Sequence, residues 1–303
     1  MFIDITIWQL LIMVAKLVGY AGLAAAVGGP LMIWLLQLTK SNQSALLLDI
    51  RAYGLLLSSV GLVAVIMQLL LETGAFSESG ISGMLDPFML EIVWQSPIGE
   101  TALYRIIGFI LSLFIFVVLL KQLHRGVRSV VVIVFCLLLI VLGRSFSLSG
   151  HSVSLHGGLQ LLLSLHVVMV MAWLGSLYPL WKASHQLPVK ALHLLMHRFG
   201  LYAQSVVALL ILTGAIIVYS LLDSFSDLVN TPYGQWLSVK LLLVTLILLL
   251  AAYHKWRLVP RLLSTKQART SLSRSISFEI FIAIAILFVT TIISSVVGPL
   301  SLK

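Results

Sequence analysis

Val130-Val131-Val132-Ile133-Val134-Phe135-Cys136-Leu137-Leu138-Leu139-Ile140-Val141-Leu142 runs for thirteen residues without a charge, a proline or a glycine. Nothing in it alternates, whereas a half-buried strand or a lipid-facing barrel strand changes polarity at every second residue. In lipid the backbone has no water to bond to, so a spanning segment must be a helix or part of a closed barrel. The missing alternation leaves the helix. Leu241–Tyr253 and Ile280–Val297 read the same way, and roughly 20 apolar residues are what a ~30 Å hydrocarbon core requires.

Working outward, the pattern recurs along all 303 residues, of which 60% are hydrophobic and 10% charged. An ordinary soluble domain carries about 25% charged residues, so no soluble fold hides this much apolar surface. Spans are expected near 8–38, 46–71, 99–121, 128–148, 157–182, 197–222, 236–258 and 275–299. The fold class is all-α: a polytopic membrane protein, a bundle of eight transmembrane helices forming one domain over 1–303. Gly28-Gly29-Pro30 is expected to kink or break the first span, because proline removes a donor and clashes one turn back; Pro179 is a second such point. The N-terminal Met1-Phe2-Ile3-Asp4 lacks the basic start of a cleavable signal, so the first span is expected to stay as a helix.

A net charge of +9 would suggest a nucleic-acid partner if the bases clustered on a soluble face. Here they sit in short loops after spans one, three, five and seven, from Lys40, Lys121, Arg125 and Arg128 to Lys182, Lys190, Arg198, Lys255, Arg257, Arg261, Lys266, Arg269 and Arg274. The opposite loops carry Asp4, Glu72, Glu78, Asp86, Glu91, Glu100, Asp223 and Asp227, with Arg144 and Lys303 as the few bases. By the positive-inside rule the basic loops are cytoplasmic and both termini outer. The partner is the lipid bilayer and not a nucleic acid. The lone cysteine, Cys136, reads as a small packing residue.

Ser96-Pro97-Ile98-Gly99 lays onto Thr231-Pro232-Tyr233-Gly234, and a base, Arg105 or Lys240, follows each proline by eight positions. Two parallel four-helix repeats, 1–148 and 149–303, would explain this; a hydroxyl-Pro-x-Gly turn is also simply a good helix start. Ionisable groups inside a bilayer are expensive and are functional candidates by default. Lys16, Arg51, Arg105, Lys240 and Glu279 qualify, unless they snorkel to the interface. His166 lies about nine residues into the fifth span, roughly 14 Å at 1.5 Å per residue. Met169 and Trp173 follow at i+3 and i+7 on the same face. Imidazole and thioether together suit copper, and thioether favours Cu(I); the alternative is a histidine hydrogen-bonded to a neighbouring helix. In the outer loop His151 and His156 are either a descending line of ligands toward His166 or plain surface histidines, and Met67, Met84 and Met89 are further soft donors or packing residues. His185, His193 and His197 fall in an inner loop, and His124 and His254 at inner span ends, where solvated histidines are unremarkable. No P-loop, dinucleotide fingerprint, Cys-x-x-Cys pair or nucleophile elbow is present, so a nucleotide-driven pump is not expected within this chain.

Gly150-His151-Ser152, then Leu165-His166-Val167 running to Trp173-Leu174-Gly175 and Pro179, resembles the pattern of the bacterial copper resistance protein D (CopD) family. Thr231-Pro232-Tyr233-Gly234 with Lys240, Leu258-Val259-Pro260, and Ser273-Arg274-Ser275 with Glu279 look like its C-terminal domain. The similarity covers roughly 145–303 well and the N-terminal half mainly through span count. The resemblance implies an eight-span inner-membrane protein that moves copper from periplasm to cytoplasm, with a small periplasmic copper-binding partner of the CopC type. It marks His151, His166, Trp173, Gly175, Lys240 and Glu279. The chain departs from the family at His254-Lys255, where Asn-Arg is common, and at Ser176, where a second glycine is common. Two other functions stay open. One is a membrane haem b oxidoreductase resembling the HemJ type, with His166 as an axial ligand; the other is a non-transporting partner in copper delivery.

Overall fold

The computed structural model describes residues 6–39, 44–77, 79–121, 129–148, 157–222, 224 and 226–297. Among them all regular structure is helical: α1 (Ile7–Gln37), α2 (Ser44–Ser77), a 3-10 turn (Gly80–Leu85), α3 (Pro87–Trp94), α4 (Pro97–Lys121), α5 (Ser129–Ser147), α6 (Gly157–Gln186), α7 (Val189–Leu221), α8 (Asp227–Asn230), α9 (Pro232–Tyr253), a π turn (His254–Leu258), α10 (Val259–Arg261) and α11 (Lys266–Ser295). Eight of these helices are long and apolar enough to cross a membrane, α9 running on through the π turn and α10. Large apolar side chains such as Leu56, Val63, Ile140, Leu242, Leu249 and Phe281 point outward, as they do when the solvent is hydrocarbon.

The helix starts follow their local chemistry. Thr6 and Gln9 cap α1 reciprocally, the Thr6 hydroxyl accepting from Gln9 N at 3.2 Å and Gln9 Oε1 accepting from Thr6 N at 3.0 Å. Thr231 accepts from Gly234 N at 2.9 Å, and Ser96 accepts from Ile98 N at 3.2 Å. The two hydroxyl-Pro-x-Gly starts are built alike. Each follows a short helix, and a Cβ on either glycine would run into that helix's backbone, at Trp94 for Gly99 and at Asp227 for Gly234. Contrary to one expectation, α1 does not end at Gly28-Gly29-Pro30 but continues to Gln37. Pro30, Gly28 and Gly29 are all buried, and neighbouring helices support the segment where the ladder loses a bond.

Those glycines make α1 the central helix, packed against α2, α6 and α11. A Cβ on Gly28 would collide with the backbone at Gly175 and Ser176, and one on Gly175 with the Ala24 carbonyl. Lipid supplies no hydrophobic drive between helices, so backbone approach at small residues is how such bundles associate. From α4, Phe109 and Phe116 sit fully buried over Gly61 and Gly54 of α2.

At the basic-loop end the charges bind helix ends. Arg269 Nε donates to Ser184 O at 2.6 Å and its Nη2 to His185 O, satisfying carbonyls that the end of α6 leaves orphaned. Arg198 donates to Leu38 O at 2.6 Å, and Asp49 holds Lys182 at 3.1 Å and Gln186 at 2.6 Å. The inner loop expected to hold His185, His193 and His197 is not a loop. Only Leu187 and Pro188 separate α6 from α7, because the polar residues that suggested a loop are the exposed faces of two helices that outrun the hydrocarbon core.

Candidate functional site

α6 begins at Gly157, so His166 stands nine residues in, about 14 Å along the axis. Its Nδ1 is 2.9 Å from Thr213 Oγ1 of α7. The Thr213 hydroxyl has one proton, and the Leu209 carbonyl at 2.7 Å takes it. The oxygen therefore accepts from His166 Nδ1–H, which puts the imidazole lone pair on Nε2. This is the neighbouring-helix hydrogen bond that the sequence left open, and the Leu210 backbone is a further polar partner of the ring. Metal-binding histidines are oriented in the same way, by a partner on the nitrogen that does not coordinate. Gly214 leaves room for the ring: a Cβ there would lie 3.2 Å from Cε1. The Lys240 charge on α9 acts on the imidazole.

Of the residues sharing that helical face, Met169 is half-buried. Trp173 packs in an apolar cluster with Leu177, Ile247 and Ile282 between α6, α9 and α11. Gly175 is the contact point with α1. His151 and His156 lie outside the described residues, as does His124. Met67 is 40% exposed on the outside of α2, away from the bundle, and Met84 packs with Trp8 at the ends of α1 and α2.

Arg51, Arg105 and Glu279 do not snorkel; they are 2%, 4% and 3% exposed, inside the bundle. Lys16 reaches Ser295 of α11 at 2.9 Å and lies 3.9 Å from Glu72, tying α1 to both halves of the chain. Glu279 has a partner that sequence reasoning missed. Its Oε2 is 3.5 Å from Nδ1 of His254, whose Nε2 is 2.6 Å from Ser275 Oγ. His254 is itself buried, at 6% exposure, and opens the π turn. A π turn widens the helix by one residue and re-aims its side chains, and such turns recur at functional sites. The available signal was Glu279 itself, since a carboxylate in an apolar span must be paired.

The bundle thus holds two imidazole stations. His166, nearer the acidic-loop end, has a hydroxyl partner and faces a cation; His254, at the basic-loop end, has a carboxylate partner. Among the described residues no three His, Cys, Asp or Glu side chains converge.

Residues 193–293 match the family described as copper resistance protein D, and residues 5–161 match that described as copper resistance protein D-like, N-terminal domain. The N-terminal half is thus matched as a domain in its own right and not through span count alone. The stretch from 162 to 192, with His166, Trp173 and Gly175, lies between the two matched segments. The copper transport protein CutJ of Bacillus subtilis (strain 168) is 31% identical over 139 residues, 45% of this chain and 25% of that protein. The aligned part of the chain spans a quarter of this curated relative's length. No solved structure matches the chain.

Proposed function

The chain belongs to the copper resistance protein D family, and from that premise we propose that this copper-handling membrane protein carries copper ions through its helix bundle, from the periplasmic side to the cytoplasm. The relative with the printed name of a copper transport protein supports movement of the ion over mere sequestration. The observation that carries the reading is the orientation of His166: a hydroxyl from α7 meets Nδ1, as the orienting partner of a metal-binding histidine does, within an apolar span. His151 and His156 of the outer loop collect the ion, a CopC-type periplasmic protein being a fitting donor. His166, with Met169 as a soft second donor, takes it into the bundle. His254 and Glu279 receive it toward the basic-loop end. The basic loops support a reading in which that end faces the cytoplasm of an inner membrane and both termini the periplasm.

The test is copper accumulation in cells that carry the wild type or His166→Ala at equal membrane abundance, with metal content and absorbance of both purified proteins. Transport predicts loss of accumulation in His166→Ala and a colourless wild type that copurifies with copper. Unchanged accumulation in the variant refutes the route, and a Soret band near ~400–430 nm in the wild type would assign His166 to haem ligation instead.

A further inference from the structure

Between α2 and α4 lies a small cavity lined by Val65, Gln68, Leu69, Ile98, Thr101 and Arg105. It holds about one water-sized sphere. The Arg105 guanidinium is 4% exposed, with its carbon 5.1 Å from the ring centroid of Phe146 and 5.7 Å from that of Tyr20. Those rings offset part of the cost of a cation away from water. They leave Nε with nothing to donate to, and the neighbouring Thr101 Oγ1 is likewise buried without a partner. Among the described residues no carboxylate lies within ion-pair distance of Arg105.

Thr101 departs from the habit of this chain. Helix hydroxyls here return to a carbonyl one turn back, as Ser164 does to Gln160, Ser176 to Ala172, Thr213 to Leu209 and Thr290 to Ile286. Thr101 does not, and its hydroxyl lines the same cavity as Arg105. A buried cation without an anion, two unsatisfied groups able to donate, and the Gln68 amide therefore border one space. Donors surrounding a positive charge select an anion. The room for a water-sized sphere favours a compact monatomic anion over phosphate or a carboxylate group.

We propose that this cavity is a halide site, which chloride occupies as the counterion of Arg105, held by Arg105 Nε–H, Thr101 Oγ–H and the Gln68 amide. It is independent of the copper route, and its failure would leave that reading untouched.

The experiment is a thermal-unfolding titration of the full-length protein in phosphatidylcholine nanodiscs, with sodium chloride or bromide exchanged for sodium gluconate at constant ionic strength. Saturable stabilisation by chloride and bromide is expected, a rise of roughly 2–4 °C at saturation. Arg105→Met abolishes the halide dependence. Thr101→Val raises the half-saturating concentration about tenfold, the loss of one hydrogen bond to a charged group. Because wild type and Thr101→Val suffice, the test survives if Arg105→Met does not fold. Equal unfolding midpoints in chloride and gluconate for the wild type overturn the proposal, as does a halide effect that persists in Arg105→Met.

Discussion

Thr213→Val isolates the orienting role of α7 at His166 without touching the imidazole. Valine keeps the branched shape of a side chain that is 6% exposed and removes only the oxygen 2.9 Å from His166 Nδ1. Two losses follow. The ring N–H is left unpaired in a half-buried site, which costs about 1–3 kcal/mol. Nothing then prefers the Nδ1–H tautomer, so part of the population turns a protonated nitrogen toward the ligand position. Removing such an orienting partner typically weakens metal affinity about 10–100-fold, equivalent to roughly 1.4–2.8 kcal/mol, and the two figures agree. The Leu209 carbonyl keeps its intrahelical bond, so α7 stays intact. Competition of purified protein with a chromophoric Cu(I) chelator gives the affinity directly. Thr213→Ser, which restores the oxygen, should return it to within a few-fold of wild type. If Thr213→Val binds copper like wild type while His166→Ala does not, the hydroxyl does not orient the ring and the tautomer reasoning fails.

Gly175→Ala places a methyl against the Ala24 carbonyl and Gly28, so α1 and α6 must separate. A loss of about 1–3 kcal/mol is expected, as for other overpacked contacts, read as a lower unfolding midpoint in detergent. Gly28→Ala should act on the same contact, so the double variant costs less than the sum of the two. Glu279→Gln should leave the protein folded but slow copper accumulation, because it removes the ionisable oxygen beside His254 and keeps a hydrogen-bonding side chain. Glu279→Leu should also destabilise the fold by about 1–3 kcal/mol, as seen in the unfolding midpoint, by stranding one nitrogen of a buried histidine.

The sequence made the eight spans legible because hydrocarbon thickness dictates length and apolarity, signals that a single chain carries in full. Helix ends were less legible. α6 and α7 overrun the core into water, and His185, His193 and His197 look like loop residues although they are helical. At His166 the chain showed a ring at depth but not its partner, since Thr213 is 47 residues away and a threonine that serves as orienter looks like any other. The His254–Glu279 contact was hidden for a related reason. Sequence shows a buried carboxylate and a histidine near a helix end, and only packing of the π turn against α11 shows that they meet. The face of α4 that carries Arg105, Phe109, Ser112 and Phe116, at helical spacing, could have been read in advance. Ser112 meets Ser58 at 2.8 Å between the two phenylalanines, so the whole stripe faces α1 and α2.

On the proposed route the two imidazole stations are not equivalent: one has a hydroxyl partner, the other a carboxyl and a hydroxyl. At His254 the ion meets the Glu279 side chain, whose Oε2 lies 3.5 Å from Nδ1, an oxygen ligand once its proton is released. Both nitrogens of His254 are engaged, Nδ1 by Glu279 and Nε2 by Ser275, so an ion held there must displace one of these partners. The bases beyond the inner station, Lys255, Arg257 and Arg261, then oppose departure into the cytoplasm unless an acceptor takes the ion. A cytoplasmic copper ligand should therefore speed net uptake into vesicles more in the wild type than in Glu279→Gln, where the inner station no longer holds the ion.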